Sequence, residues 1–179
     1  MTTVDENAAG TRTSGVATRK SLDASASDIG LLVARVGFGA LLVVHGTQKL
    51  FGWFNGYGLD ATAGAFEGMG YDPGKFFATL AGLSEVTGGA LLALGLLTPL
   101  AAAIVLGTML NAINATWHGG FAAYESALLY AVAAVALAFA GPGRFALDAE
   151  RPWARKGFTW AAGAVLLGVV AALITLIAK

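Results

Sequence analysis

The chain has 179 residues, of which 56% are hydrophobic and only 12% are charged, so it falls outside the range of soluble globular proteins. Its 11 acidic residues balance its 11 Lys and Arg residues, and the lack of net positive charge argues against a nucleic-acid partner. Cysteine is absent, which excludes disulfides, thiolate metal sites, iron–sulfur clusters and covalent c-type haem. The composition predicts an integral membrane protein with no covalently bound cofactor.

The first 28 residues are polar and contain no apolar run. We predict that residues 1–28 form a disordered tail rather than a cleaved signal. Asp28 would then cap a first helix that begins at Ile29. The apolar stretch Ile29–Trp53 is about long enough to cross a bilayer as one helix.

This first span carries three basic side chains that an ordinary membrane anchor would not tolerate: Arg35, His45 and Lys49. Helical periodicity places all three on one face. Each ionisable side chain in hydrocarbon costs on the order of 3 kcal/mol, so this face must meet other helices and find partners there.

Four further spans follow a glycine-rich segment, Asn55–Lys75, that we expect to be a loop. The expected spans are Phe76–Leu97, Pro99–Trp117, Phe121–Ala140 and Phe158–Ala178. Small residues recur every fourth position in the last span, at Ala164, Gly168 and Ala172, and would pack on the bundle or on another subunit. The sequence therefore predicts an all-α fold, a polytopic membrane helix bundle.

The positive charges cluster in the tail and in the connector after the fourth span. They are Arg12, Arg19, Lys20, Arg144, Arg151, Arg155 and Lys156. The excess of Lys and Arg on cytoplasmic loops predicts that both segments face the cytoplasm. The amino terminus would then be cytoplasmic and the loop after the first span external.

Polar residues of several spans fall in the outer half of the bundle when their depth is taken from the helical rise. By depth we expect Lys49 to pair with Glu125 and His45 with Glu85, whereas Arg35 lies deeper with no assigned partner. Asn111, Asn114 and His118 share one helix face. Such groups either set helix register or form a pocket for a small redox molecule, such as a quinone, or a proton path.

Two narrower interpretations of the histidines are weaker. His45 and His118 could ligate haem b axially, but their expected depths differ by about 12 Å. The same pair with Glu85 and Glu125 has ligand types that suit a metal. Because no local HxxE or HxxxH spacing accompanies them, we predict no metal site.

Four segments, in order along the chain, resemble one protein family. They read RVGFGALLVVHGTQKLFGW, LSEVTGGALLALGLLTPLAA, NAINATWHGGF and YESALLYAVAAVALAFAGPGRFALD. Together they resemble the DoxX family of small bacterial membrane proteins, related to the DoxD subunit of thiosulfate:quinone oxidoreductase. The matching positions are Arg35, His45, Gly46, Lys49, Glu85, Gly89, Asn111, His118, Glu125, Gly141, Pro142 and Gly143.

The resemblance implies a four-helix membrane bundle in the bacterial cytoplasmic (inner) membrane. It also implies a link to quinone or sulfur-related redox metabolism, often beside other redox proteins. We therefore divide the chain into a cytoplasmic tail, 1–28, a DoxX-like four-helix bundle, 29–148, and a basic connector with a fifth transmembrane helix, 149–179. The tail and the fifth helix depart from the family pattern.

These observations lead to one main hypothesis and two alternatives. The main hypothesis is an integral membrane subunit of a quinone-linked redox system, with a polar pocket in the outer half of the bundle and a redox protein as electron donor. Its catalytic residues would be Glu85, Glu125 and His45, and its quinone-binding residues Arg35, Lys49, Asn111, Asn114 and His118. The alternatives are a non-catalytic scaffold that docks soluble redox or stress enzymes, and a small permease or proton channel. A homo-oligomer is compatible with each.

Overall fold

The structure, a computed structural model, describes the backbone of residues 6–151, 154 and 157–179, and the side chains from residue 24 onward within those ranges. Six helices and a single 3-10 turn, Trp117–Gly119, account for the regular structure of this part of the chain. The helices are α1 (Glu6–Phe51), α2 (Gly58–Gly68), α3 (Gly74–Leu94), α4 (Thr98–Thr116), α5 (Phe121–Ala140) and α6 (Phe158–Ala178). The predicted all-α fold is confirmed.

Five of the helices are long and apolar enough to cross a membrane. In α1 the candidate span begins at Ala24, and the other four are α3, α4 with its following turn, α5 and α6. The predicted spans agree with these helices to within a few residues. The protein is a multi-pass membrane protein built as a helical bundle.

The start of the first helix differs from the prediction. Helix α1 already includes Asp28, so this residue does not cap it. Residues 16–29 contain neither glycine nor proline, so nothing in that stretch interrupts a helix. The Asp28 carboxylate instead accepts a hydrogen bond of 2.9 Å from the backbone N–H of Arg144. The disorder of 1–28 stays a prediction, since residues 1–5 and the side chains through residue 23, including the tail charges, lie outside the described residues.

The segment expected to be a loop contains helix α2. We call Gly52–Pro73, which joins α1 to α3 and includes α2, the cap segment. Helix α2 packs on α3 and buries Thr62 and Ala63. The prediction missed it because glycines interrupt an otherwise helix-compatible alanine-rich run.

Helices α1 and α3 pack closely through two pairs of glycines. A Cβ atom added to Gly39 would lie 2.5 Å from the carbonyl oxygen of Gly89, and one added to Gly46 would lie 2.6 Å from that of Gly82. The second pair lies seven residues later on α1 and seven residues earlier on α3, as expected for antiparallel helices. Only glycine permits this approach, which fixes the register of the two helices.

Helix α4 lies between α3, α5 and α6 and contacts all three. Ala164, Gly168 and Ala172 of α6 are buried, and a Cβ added to Gly168 would lie 2.9 Å from the carbonyl oxygen of Ala103 on α4. The stripe of small residues therefore packs on the bundle of its own chain.

The spans alternate in direction, so the bundle has two ends. The cap end holds the cap segment, the 3-10 turn and the carboxyl end of α6. The connector end holds the segment from Gly141 to Gly157, part of which lies outside the described residues. Two hydrogen bonds join the connector to the bundle. The N–H of Leu147 donates to the carbonyl oxygen of Leu94 at 3.1 Å, and the Asp148 carboxylate accepts from the N–H of Leu97 at 2.8 Å.

Candidate functional site: a charged pair beside an intramembrane cavity

An ion pair joins α1 to α3 near the cap end. The Lys49 ammonium donates to both carboxylate oxygens of Glu85, at 2.8 Å and 2.7 Å. The Glu85 side chain is only 5% exposed and that of Lys49 is 28% exposed. In these antiparallel helices Lys49 lies one turn nearer the cap end than Gly46, and Glu85 lies one turn nearer the connector end than Gly82. The long Lys49 side chain spans this offset between the two closely packed helices.

A cavity of about 450 Å³ adjoins this pair. Its size lies in the range of small-molecule binding sites. Most of its wall is apolar. Residues of all six helices contribute to it, as do Met69 and Tyr71 of the cap segment. Its polar lining residues are His45, Lys49, Tyr71, Ser84, Glu85, Thr108, Asn111, Thr116, Ser126, Tyr130 and Thr175.

Several polar hydrogens of this wall have no acceptor among the described residues. An ammonium carries three N–H groups, and both of the hydrogen bonds that Lys49 makes there go to Glu85. The Tyr130 hydroxyl interacts electrostatically with Glu85. Neither this hydroxyl nor that of Ser84, which also lines the cavity, donates a hydrogen bond in the described structure. These groups can donate to a ligand.

Tyr71 closes the cavity at the cap end. The residue is 1% exposed, and its ring packs on those of Phe66 and Phe77, with centroids 5.4 Å away in each case. Its hydroxyl lies 3.3 Å from the side-chain oxygen of Asn111. Burial raises the pKa of the Tyr71 hydroxyl, so this group stays a neutral donor at physiological pH.

Asn111 is the one predicted amide that lines the cavity. Its side-chain N–H groups donate to the carbonyl oxygens of Gly107 at 3.0 Å and of Ala172 at 3.4 Å. Asn111 thus joins α4, α6 and the cap segment. It fixes the cavity wall at this point and presents its side chain to the interior.

Both predicted ion pairings are wrong. Lys49 pairs with Glu85, whereas Glu125 is exposed near the start of α5 and does not line the cavity. His45 packs its ring edge-on against Tyr130, with centroids 5.8 Å apart, and contacts the cavity. The expected depth placed Glu125 level with Lys49 and Glu85 level with His45. Depth carries no information on how each helix is rotated about its axis, and in the structure α3 is rotated so that Glu85 meets Lys49.

Asn114 and His118, also predicted to contact the ligand, lie outside the cavity lining. Both are exposed at the cap end. The side-chain oxygen of Asn114 accepts a hydrogen bond of 3.2 Å from Lys179, and His118 lies in the 3-10 turn. The structure therefore does not bring these two residues to the charged pair.

Arg35 is buried at the connector end, away from the cavity lining. Its guanidinium donates at 2.6 Å to the carbonyl oxygen of Ala93 and at 2.6 Å to that of Phe145, and it interacts electrostatically with buried Asp148. Arg35, which had no assigned partner in the sequence analysis, therefore binds the end of α3 and the connector. This geometry indicates a structural clamp and not a contact to the ligand.

Within the part of the chain that the structure describes, no group of three His, Asp or Glu side chains is placed to hold a metal ion. His45 lies within a span and His118 in the exposed turn, so the two histidines predicted as alternative haem ligands occupy different environments. Two tyrosines of the cavity, Tyr71 and Tyr130, were missed from the sequence. A tyrosine in the middle of an apolar span, as at Tyr130, is a usable signal because its hydroxyl needs a polar environment.

The arrangement suits a neutral ligand with an apolar body and hydrogen-bond acceptors. Lys49 and Glu85 cancel each other's charge, and the rest of the cavity lining holds no further Asp, Glu, Lys or Arg. The wall supplies donors near the pair and hydrocarbon elsewhere.

Comparison with known proteins shows which family the chain belongs to. The model of the DoxX family matches residues 30–119, which is half of the chain. An uncharacterized membrane protein of Mycobacterium tuberculosis, Rv3486, is 33% identical over 133 residues, covering 66% of this chain and 78% of that protein. No solved structure matches. The matched range contains Lys49, Glu85 and Asn111, and this chain belongs to the DoxX family.

Proposed function

We propose that this protein is the quinone-binding membrane subunit of a redox system and that the cavity beside Lys49 and Glu85 holds the quinone ring. The observation that supports the proposal best is the position of a buried ion pair on the wall of a mostly apolar cavity of about 450 Å³. Ionisable groups are expensive inside a membrane, and they commonly mark binding sites or pathways there.

The charge of the wall favours a quinone over an anionic substrate. An anion such as thiosulfate would have to compete with Glu85 for Lys49, and it would lie beside a carboxylate with no second cation in the lining. A quinone is neutral, and its carbonyl oxygens accept hydrogen bonds. Its ring and its isoprenoid tail suit the apolar remainder of the cavity.

The residues have distinct roles in this proposal. Lys49 donates a hydrogen bond to one carbonyl oxygen of the ring, and Glu85 holds Lys49 charged and oriented. Tyr130 and Ser84 are the further donors, and Asn111 and Tyr71 shape the wall. Arg35, Glu125, Asn114 and His118 have no contact with the ligand.

Reduction of a quinone to a quinol consumes two electrons and two protons. The chain has no cysteine and no GxGxxG motif, so we assign the electrons to a partner redox protein. The Lys49 ammonium gives one proton to the reduced oxygen. Because its side chain is 28% exposed, it is reprotonated from water, which also supplies the second proton.

We also propose that the protein lies in the bacterial inner membrane with a cytoplasmic amino terminus. The basic residues of the connector, including Arg144 and Arg151, support this orientation because positive residues concentrate on the cytoplasmic side. The cap segment and the nearby charged pair would then lie towards the outer face.

The proposal is tested by measuring quinone bound to the purified protein, both as quinone extracted after purification and as the Kd of an added short-chain quinone. We compare the wild type with Lys49→Met and with Lys75→Met. Lys75 is a matched control because it is an exposed lysine paired with exposed Asp60. Loss of a charged hydrogen bond costs about 1.5–3 kcal/mol, so Lys49→Met should weaken binding by roughly tenfold to a hundredfold.

Lys75→Met should bind quinone as the wild type does. A wild-type protein that binds no quinone, or a Lys49→Met variant that binds it equally well, would contradict the proposal. If such a protein still copurified with a redox enzyme, the scaffold alternative would be favoured.

A further inference from the structure

The cavity reaches the side surface of the bundle at two places. Between α1 and α5 its exposed lining residues are His45, Ala123 and Ser126. Between α3 and α6 they are Leu80 and Ala171. All five residues belong to membrane-spanning helices. Ala123 lies about 3 Å from the cap end of its helix and the other four lie about 8–11 Å from it, so both openings extend along the bundle's side.

The cap end, by contrast, is covered. Tyr71 is 1% exposed over the cavity, and Phe66 and Met69 of the cap segment line it beside Tyr71. The hydroxyl of Tyr71 is held at Asn111, and its ring is held between Phe66 and Phe77. This aromatic cover lies between the cavity and the water at that end of the bundle, while the Lys49 side chain of the charged pair stays 28% exposed.

The opening between α1 and α5 carries the polar groups. Helix α1 packs extensively on α3 but only sparsely on α5. Where the two helices approach, the ring of Tyr130 contacts both Phe38 and His45, each with centroids 5.8 Å apart. His45 lies about 9 Å from the cap end of α1, and Ser126 about 8 Å from that end of α5. The opening therefore runs along the side of the bundle at the depth of lipid chains.

The other opening has a different rim. Leu80 and Ala171 are both apolar, and no hydrogen-bond donor stands at that edge on α3 or α6 among its exposed lining residues. A polar ring that crossed this rim would find no hydrogen-bond donors for its polar atoms, and leaving those atoms without hydrogen bonds costs free energy. At the first opening, His45 and Ser126 offer such bonds on the way to Lys49.

We infer that the ligand enters sideways from the bilayer through the gap between α1 and α5, past His45 and Ser126. This inference rests on the proposed quinone site and narrows its ligand to a neutral, membrane-dissolved molecule with a polar ring. For a water-soluble compound, the route from the cap end is narrowed by the aromatic cover of Tyr71, Phe66 and Phe77. The ring passes the rim first and the tail stays in the gap or in the lipid.

The rate of quinone exchange tests this route. A tryptophan at Ser126 narrows the rim, whereas Leu128→Trp is the matched control, since Leu128 is exposed and lies about 200° around α5 from Ser126 at similar depth. In proteoliposomes, stopped-flow measurement gives the association and dissociation rates of a short-chain quinone. We expect Ser126→Trp to slow both rates severalfold and equally, with Kd unchanged, and Leu128→Trp to change neither.

A second variant covers the case in which Ser126→Trp does not fold. The chain has no cysteine, so Ser126→Cys can be modified at that position alone with an N-alkyl maleimide after purification. Modification should slow exchange in the same way, and bound quinone should slow the modification.

Three outcomes would overturn the inference. Unchanged rates in the Ser126 variants would overturn the route past Ser126, and slow exchange in Ala171→Trp would then place the opening between α3 and α6. A weaker Kd with an unchanged association rate would place Ser126 in the binding site and not at its entrance. A wild type without any quinone binding would refute the proposed function and this inference together, whereas the first two outcomes leave the proposed function standing.

Discussion

The Lys49 ammonium lies 2.8 Å and 2.7 Å from the two carboxylate oxygens of Glu85, and this contact joins α1 to α3 at the wall of the cavity. A pair in this position can hold two helices in register, and it can also bind a ligand. The two roles differ in what happens when both charges are removed. Replacement of a buried ion pair by apolar residues is often tolerated, whereas removal of one partner is not.

A double-mutant cycle separates these roles. Lys49→Met and Glu85→Met each leave one charge without its partner, at a cost of roughly 3–5 kcal/mol for a fully buried pair and less here, because Lys49 is 28% exposed. The double variant should recover most of the stability in detergent denaturation. We expect all three variants to lose quinone binding. Binding that returns in the double variant would show that the pair acts only in helix packing.

The glycine contacts between α1 and α3 predict a sharp difference between neighbouring positions. A Cβ at Gly39 would meet the backbone of Gly89 and Ala93 at 2.5 Å and 2.7 Å, whereas one at Gly37 has nothing within 4 Å. Gly39→Ala should therefore lower stability by about 1–3 kcal/mol, the usual range for overpacking. The control Gly37→Ala should be neutral or slightly stabilising in the same thermal unfolding measurement. Equal effects at both positions would argue against this helix register.

Arg35 should matter for stability and not for quinone affinity. Its two hydrogen bonds hold the carbonyl oxygens of Ala93 and Phe145 at the connector end, and a lysine cannot reproduce this fork. Arg35→Lys should therefore unfold at a lower temperature than the wild type, whereas exposed Arg144→Lys should not. The folded fraction of Arg35→Lys should bind quinone with wild-type Kd. A selective loss of affinity would place Arg35 in the site after all.

The exposed polar residues of the cap end provide a negative prediction. Glu125, Asn114 and His118 do not line the cavity. Glu125→Gln, Asn114→Ala and His118→Ala should each leave quinone Kd within about twofold of the wild type, or ~0.4 kcal/mol. Asn111→Ala should weaken it, because the side chain lines the cavity and holds Tyr71. Strong loss in any of the first three would mean that the cavity is not the binding site.

The number of spans and several polar residues of the site could be predicted from the sequence, because a lipid environment imposes long apolar helices and makes every buried charge conspicuous. Which of the charged residues pair with one another could not be predicted from the sequence. The expected depth of Lys49 matched that of Glu125 and the expected depth of His45 matched that of Glu85, but depth says nothing about how the helices are rotated. The register of Gly39 with Gly89 supplies that rotation, and it depends on contacts between segments far apart in the chain.

The cap segment was missed for a related reason. Glycines favour loops locally, but packing of α2 on α3 outweighs that preference. As a consequence, no pattern in the sequence places Tyr71 over the cavity. Arg35 had no partner in the prediction because its acceptors are backbone carbonyls, which side-chain patterns do not reveal.

Photoaffinity labelling tests the central claim most directly. A quinone with a photoreactive group on its ring is bound to the wild-type protein, crosslinked by light and located by mass spectrometry, with excess unlabelled quinone as competitor. The account predicts competable crosslinks to peptides that contain Lys49, Ser84 or Tyr130. Crosslinks confined to exposed positions of α6, such as Leu166 or Leu173, or crosslinks that unlabelled quinone does not reduce, would contradict it.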